Sequence, residues 1–146
     1  MTEKTDIRYA EVGYRFEPFE FFVTPELNQQ YLYAEEDFDS KYIQETESGP
    51  PMVHPALILN MSNTTRSPSF FLPPGVGALH ARDEVFFYNP ARVGKKLKVT
   101  WQVVETFEKR GRPYLLIEAR IIDEDGVEIM RRLLHGTFAE QHYYQK

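Results

Sequence analysis

The chain has 146 residues, of which 42% are hydrophobic and 14% aromatic, with a formal net charge of −5. That length suits one domain with a real core, and that apolar content excludes a disordered chain. The acidic balance gives no reason to expect nucleic acid or a membrane surface as partner, and the absence of cysteine excludes disulfides, thiol chemistry and cysteine-ligated metal.

The first eight residues are polar and are expected to fray. The stretch after Met1 has no apolar core of the kind a signal peptide needs, so a soluble cytoplasmic protein is expected. Gly13 to Phe21 alternates aromatic with other residues at period two, which predicts a strand, and Pro18 confines it to an edge or a bulge. Thr24-Pro25-Glu26 then reads as a helix start: a capping hydroxyl, a proline at the first helical position, and an acid at the positive end of the dipole. The helix is expected to reach about Ala34, with Leu27, Tyr31 and Ala34 on one side. An acidic loop follows from Glu35 and continues through Gly49.

The chain is organised around the next stretch, Pro50 to Met61. Seven of its residues are apolar (Met52, Val53, Ala56, Leu57, Ile58, Leu59 and Met61) and they cover nearly the whole circumference of a helix. A helix apolar all round has to be enclosed by protein. At about 12 residues and roughly 18 Å it is too short to span a bilayer, so a buried central helix is predicted.

Asn63 to Gly77, with Pro68, Pro73, Pro74 and Gly75, is a loop. Four strands are predicted after it: His80 to Tyr88, Lys96 to Phe107, Tyr114 to Ile122 and Val127 to Phe138. The second alternates Leu97, Val99, Trp101 and Val103 against Lys96, Lys98, Thr100 and Gln102, the mark of a strand buried on one face. Asp123-Glu124-Asp125-Gly126 is a hairpin turn between the last two. The whole is one α+β domain, a curved antiparallel sheet around a long central helix. The four histidines are scattered without ligand spacing, so no metal is expected.

Three stretches carry a family resemblance: Val23-Thr24 opening the first helix, Gly49 to His54 leading into the central helix, and Phe87-Tyr88-Asn89-Pro90-Ala91-Arg92-Val93-Gly94 before the long strands. In this order they resemble the hot-dog fold of the MaoC-like, (R)-specific enoyl-CoA hydratases, over roughly residues 11–140. The resemblance implies syn hydration of an enoyl-CoA, or its reversal, with an acyl-CoA thioester as substrate and no cofactor. It also implies a dimer, with itself or with another hot-dog chain, and a site between subunits.

The family's signature is an Asp, four residues, then a His, the two acting on the water and the α-proton. Asp37 fits the Asp, whereas the His position is Tyr42, and none of His54, His80, His135 or His142 has an Asp five residues before it. In relatives a backbone N–H at the start of the central helix polarises the thioester carbonyl. Here His54 is followed by Pro55, which has no N–H, leaving Ala56 as the substitute donor. By this resemblance Asp37, Tyr42 and His54 are the candidate catalytic residues, and Pro55, Ala56 and Asn60 the candidate substrate contacts.

Each has a plainer reading. Asp37 belongs to an acidic loop of the usual solvated kind, Tyr42 packs that loop, and His54 bonds to backbone at a helix end. His80 has a structural role on its strand, and Arg66, Lys95 and Lys96 either meet CoA phosphates or are ordinary surface charges. Tyr143 and Tyr144 either pack at a subunit boundary or trail. Three functions therefore stay open: a hydratase or dehydratase, a non-catalytic acyl-CoA-binding partner subunit, and a hot-dog thioesterase that uses Glu45 or Glu47 to activate water.

Overall fold

The strand around Trp101 forms the floor of the molecule. In the computed structural model, which describes residues 4–140, Leu97, Val99, Trp101 and Val103 are all buried while the residues between them are partly exposed. This strand, β5 (Lys96–Lys109), lies in a five-stranded antiparallel sheet with β2 (Phe19–Phe22), β4 (Val76–Phe87), β6 (Arg112–Asp123) and β7 (Glu128–Glu140). The order is β2-β5-β6-β7-β4, so β2 and β4 are the edges. The expected alternation stops at Val103 because the pairing with β6 shifts register between Val103 and Glu105, which re-aims the side chains beyond it.

Leu115, Ile117, Ala119 and Ile121 of β6 and Ile129, Met130 and Leu134 of β7 continue the buried layer. The 123–126 turn forms as predicted: the Asp123 carboxylate accepts from the Asp125 and Val127 amides at 2.9 and 3.0 Å, and Gly126 adopts φ +78°. Against this curled sheet sit α1 (Pro25–Glu35) and α2 (Pro55–Met61). Among the described residues no helix is long and apolar enough to cross a membrane.

The central helix is shorter than its apolar run implied. It has seven residues, not about twelve, and begins at Pro55. The cause is steric: a proline ring disfavours helical geometry in the residue before it, and His54 is extended at ψ 133°. The preceding segment is a strap instead, with Met52 bridged to Arg92 and the Val53 amide donating to Ala91 at 2.8 Å. Leu57, Ile58 and Val53 are buried, whereas Pro55 is exposed.

Both ends of this short helix are tied down. At its C-terminal end the Trp101 indole donates to the Ser62 carbonyl at 2.7 Å. Arg132, 4% exposed, gives its Nη1 to the Leu59 carbonyl, Ser62 Oγ and Asn63 Oδ1 and grips Asp83 with Nε and Nη2 at 3.0 and 2.8 Å. Replacing Trp101, the only tryptophan, with phenylalanine keeps most of the apolar volume but orphans the Ser62 carbonyl. The expected loss is about 1–3 kcal/mol, read by urea denaturation followed by circular dichroism.

The first helix starts as predicted, with Thr24 Oγ1 capping the Leu27 amide at 3.1 Å. Its inward face differs from expectation. Asn28 and Leu32 are buried, Leu27 and Tyr31 are half-buried against the core, and Ala34 is exposed. The expected fraying at the N-terminus also differs: β1 (Thr5–Asp6) pairs in parallel with β3 (Phe70–Phe71), and Ile7 and Ala10 enter the core. Tyr143 and Tyr144 lie outside the described residues.

Candidate active site

At the end of α1, Glu36 turns into the left-handed region at φ +52° and the Asp37 amide caps Leu32 O at 3.0 Å. This reversal aims the loop back across the start of α2. The result is a contact that the spacing of the chain does not announce: Asp37 Oδ2 lies 3.1 Å from His54 Nε2, across 17 residues. The imidazole is 11% exposed and the carboxylate 42%. Asp37 Oδ1 accepts the Asp39 amide at 3.3 Å, a turn that holds the carboxylate in place.

His54 is also the cap of α2. Its Nδ1 accepts the Ala56 amide at 3.1 Å, and its own amide donates to Asn28 Oδ1 at 2.9 Å. Asn28 is 1% exposed and spends its two amide protons on the Tyr42 and Met52 carbonyls at 3.1 and 3.0 Å. One side chain of α1 thus fastens the loop carrying Tyr42 and the strap carrying His54 to each other. Asparagine is a poor residue for a helix interior unless its amide has work elsewhere, and that mismatch at position 28 is the signal that sequence reasoning passed over.

The structure brings Asp37, Tyr42 and His54 together, though with different parts. The Tyr42 ring is buried and its centroid lies 4.9 Å from that of His54, so it walls the imidazole on one side. Lys41 Nζ sits 5.0 Å over the Tyr42 ring and 3.6 Å from Asp39. The histidine that meets Asp37 is residue 54, on another element, and Tyr42 packs against its ring.

The helix start offers no spare donor. Pro55 has no N–H, the Ala56 amide is engaged by His54 Nδ1, and the Leu57 amide by the His54 carbonyl at 3.0 Å. Ala56 is thus not the free substitute donor expected of it. Asn60 is six residues further on, about 9 Å along the axis at 1.5 Å per residue, and is bound to Tyr31, Asn63 and Arg66. Pro55 does line an apolar groove, with Val53, Ile58, Phe87, Tyr88 and Ile129, though neither Asp37 nor His54 lines it.

The remaining candidates stand apart. Lys95 pairs with Asp125 and Lys96 with Glu20, and these hydrogen bonds raise both ammonium groups above their ordinary value. Glu45 and Glu47 are exposed in and beside the Thr46–Gly49 turn, and His80 is exposed on the edge strand β4.

No family model matches this chain, and no curated protein matches it by sequence. Solved structures do match its shape. A MaoC-like dehydratase from Rhodospirillum rubrum superposes at TM-score 0.71 with 16% identity, over 93% of this chain and 97% of that one. A chain of the ChsH1-ChsH2 complex from Mycobacterium tuberculosis matches at 0.70 with 11% identity, over 88% and 98%. A mutant of the fluoroacetyl-CoA-specific thioesterase FlK matches at 0.63 with 20% identity, over 90% of each chain. At these identities the likeness is one of architecture, and the matching structures are named for both a dehydratase and a thioesterase. The chain has the hot-dog fold.

Proposed function

We propose that this chain acts on an acyl-CoA thioester as a hydratase or dehydratase, adding water across an enoyl-CoA double bond or removing it. The observation that carries the reading is the 3.1 Å contact between Asp37 and His54, whose chain neighbours Val53 and Pro55 line an apolar groove. A carboxylate half open to solvent and oriented by a nearly buried imidazole is an arrangement suited to proton transfer. The test is direct: the purified chain consumes crotonyl-CoA with loss of its conjugated absorbance and without release of free thiol. Thiol release instead would favour the thioesterase reading. Turnover of neither kind would leave the binding-subunit reading.

That last alternative has an observation of its own. With the Pro55, Ala56 and Leu57 positions all lacking a free N–H, this chain by itself offers no backbone donor to a thioester oxygen at the helix start. A second hot-dog chain, identical or different, would complete the site.

Such a partner has a place to bind. The outer flank of β4 is an open sheet edge twelve residues long, and Leu79, Phe86, Phe87 and Tyr88 on or beside it are 43–51% exposed. Open sheet edges invite another strand, here at the apolar ends that flank the charged middle of β4. Sedimentation is expected to give a mass above the 17.2 kDa of one chain, and Leu79→Lys to shift it toward that value. An unaltered monomer mass for the native chain would exclude the edge as a self-association surface.

A further inference from the structure

The imidazole of His54 has a different partner on each ring nitrogen, and the two partners demand different things of it. The Ala56 amide can only donate, so Nδ1, at 3.1 Å, must present a lone pair. Nε2 then carries the proton and directs it at Asp37 Oδ2. A second proton would have to sit on Nδ1, facing the Ala56 N–H donor to donor, and would cost α2 its cap. The Asn28 amide oxygen fixes the His54 backbone, and the Tyr42 ring closes one side, so the imidazole has no easy turn to another pairing. The charged groups around it are Asp37 itself and, beyond the Tyr42 ring, Lys41 paired with Asp39.

We infer that His54 is a positioning residue held in one neutral tautomer, and that Asp37 alone carries the proton in the pair. The inference rests on the hydratase reading above for the role of Asp37, though not for the state of the ring. Hydration then runs through one carboxylate. Asp37 takes a proton from water as the water oxygen bonds to the β-carbon, and the π pair moves to the α-carbon and thioester carbonyl. The carboxylic acid so formed returns that proton to the α-carbon. One O–H bond breaks, one C–O and one C–H bond form, and the carboxylate is regenerated. Both new bonds are made from the face that Asp37 occupies, so addition is syn.

The ring can be read without any substrate. Long-range proton–nitrogen correlation spectra of the full chain at neutral pH are expected to show a protonated Nε2 and a bare Nδ1 for His54. The pattern is expected to persist in Asp37→Asn, because Ala56 sets it. Kinetically, His54→Ala is expected to lose about a hundredfold in kcat/KM, and His54→Gln, whose amide can donate toward Asp37, to recover to within about tenfold of the native enzyme. His54→Asn, which restores only the cap, is expected to stay near the alanine variant. An Nδ1–H or doubly protonated ring at neutral pH overturns the inference. So does a glutamine variant no better than alanine whose pH profile has lost a limb. A native chain inert toward enoyl thioesters overturns the functional reading and the role of Asp37, and the ring spectrum then decides the assignment of His54 alone.

Discussion

Asp37→Asn is expected to lower kcat/KM for enoyl-thioester hydration by about a thousandfold, within the range that general acid–base groups contribute. The amide matches the carboxylate in size, and its one oxygen keeps either the His54 Nε2 or the Asp39 amide contact, which Asp37 makes with different oxygens, while the basicity is lost. Because the side chain is 42% exposed, stability should change by less than about 0.5 kcal/mol. Initial rates and a melting curve on the same preparation separate the two effects. Full activity in this variant would end the assignment of Asp37, and an unfolded variant would show that the pair holds the loop after α1 in place.

The largest expected effect on stability lies at the other end of α2. Arg132→Met is expected to destabilise the fold by about 3 kcal/mol, the low end of what breaking a buried ion pair costs. The low end applies because Asp83 is 35% exposed and can recover water once its partner is gone. The Leu59 carbonyl and Ser62 Oγ cannot do so as easily, since Arg132 meets them deep in the core. Pairing Arg132→Met with Asp83→Leu should restore part of the loss, because replacing both members of such a pair with apolar groups is often neutral. Urea denaturation of both single variants and the double variant gives the coupling. A single variant as stable as the native chain would mean that the guanidinium merely fills space.

These two ends of α2 show where the sequence was readable. The face of β5, the Asp123 turn and the Thr24 cap follow from local chemistry, period two or a hydroxyl before a proline, and the structure has them where that chemistry places them. Arg132 does not follow from local chemistry. It is the second of two consecutive arginines on β7, and which one faces inward depends on the register shift between Ile121 and Ile122 of the neighbouring strand. The meeting of Asp37 and His54 was equally hidden, because it depends on where a left-handed Glu36 sends the loop. The length of α2 was misjudged for a different reason: seven apolar residues between Pro50 and Met61 outweighed Pro55, although the proline alone sets the start.

Position 54 answers to two masters, and this narrows what can replace it. The helix requires a lone pair there, and the acid requires a proton, on atoms two bonds apart in a flat, rigid group. Among side chains long enough to span both, imidazole and the carboxamides accept on one atom and donate from another while uncharged at neutral pH. Any retuning of the acid through this residue is therefore also a change in how the central helix begins, so chemistry and architecture are here exposed to the same substitutions.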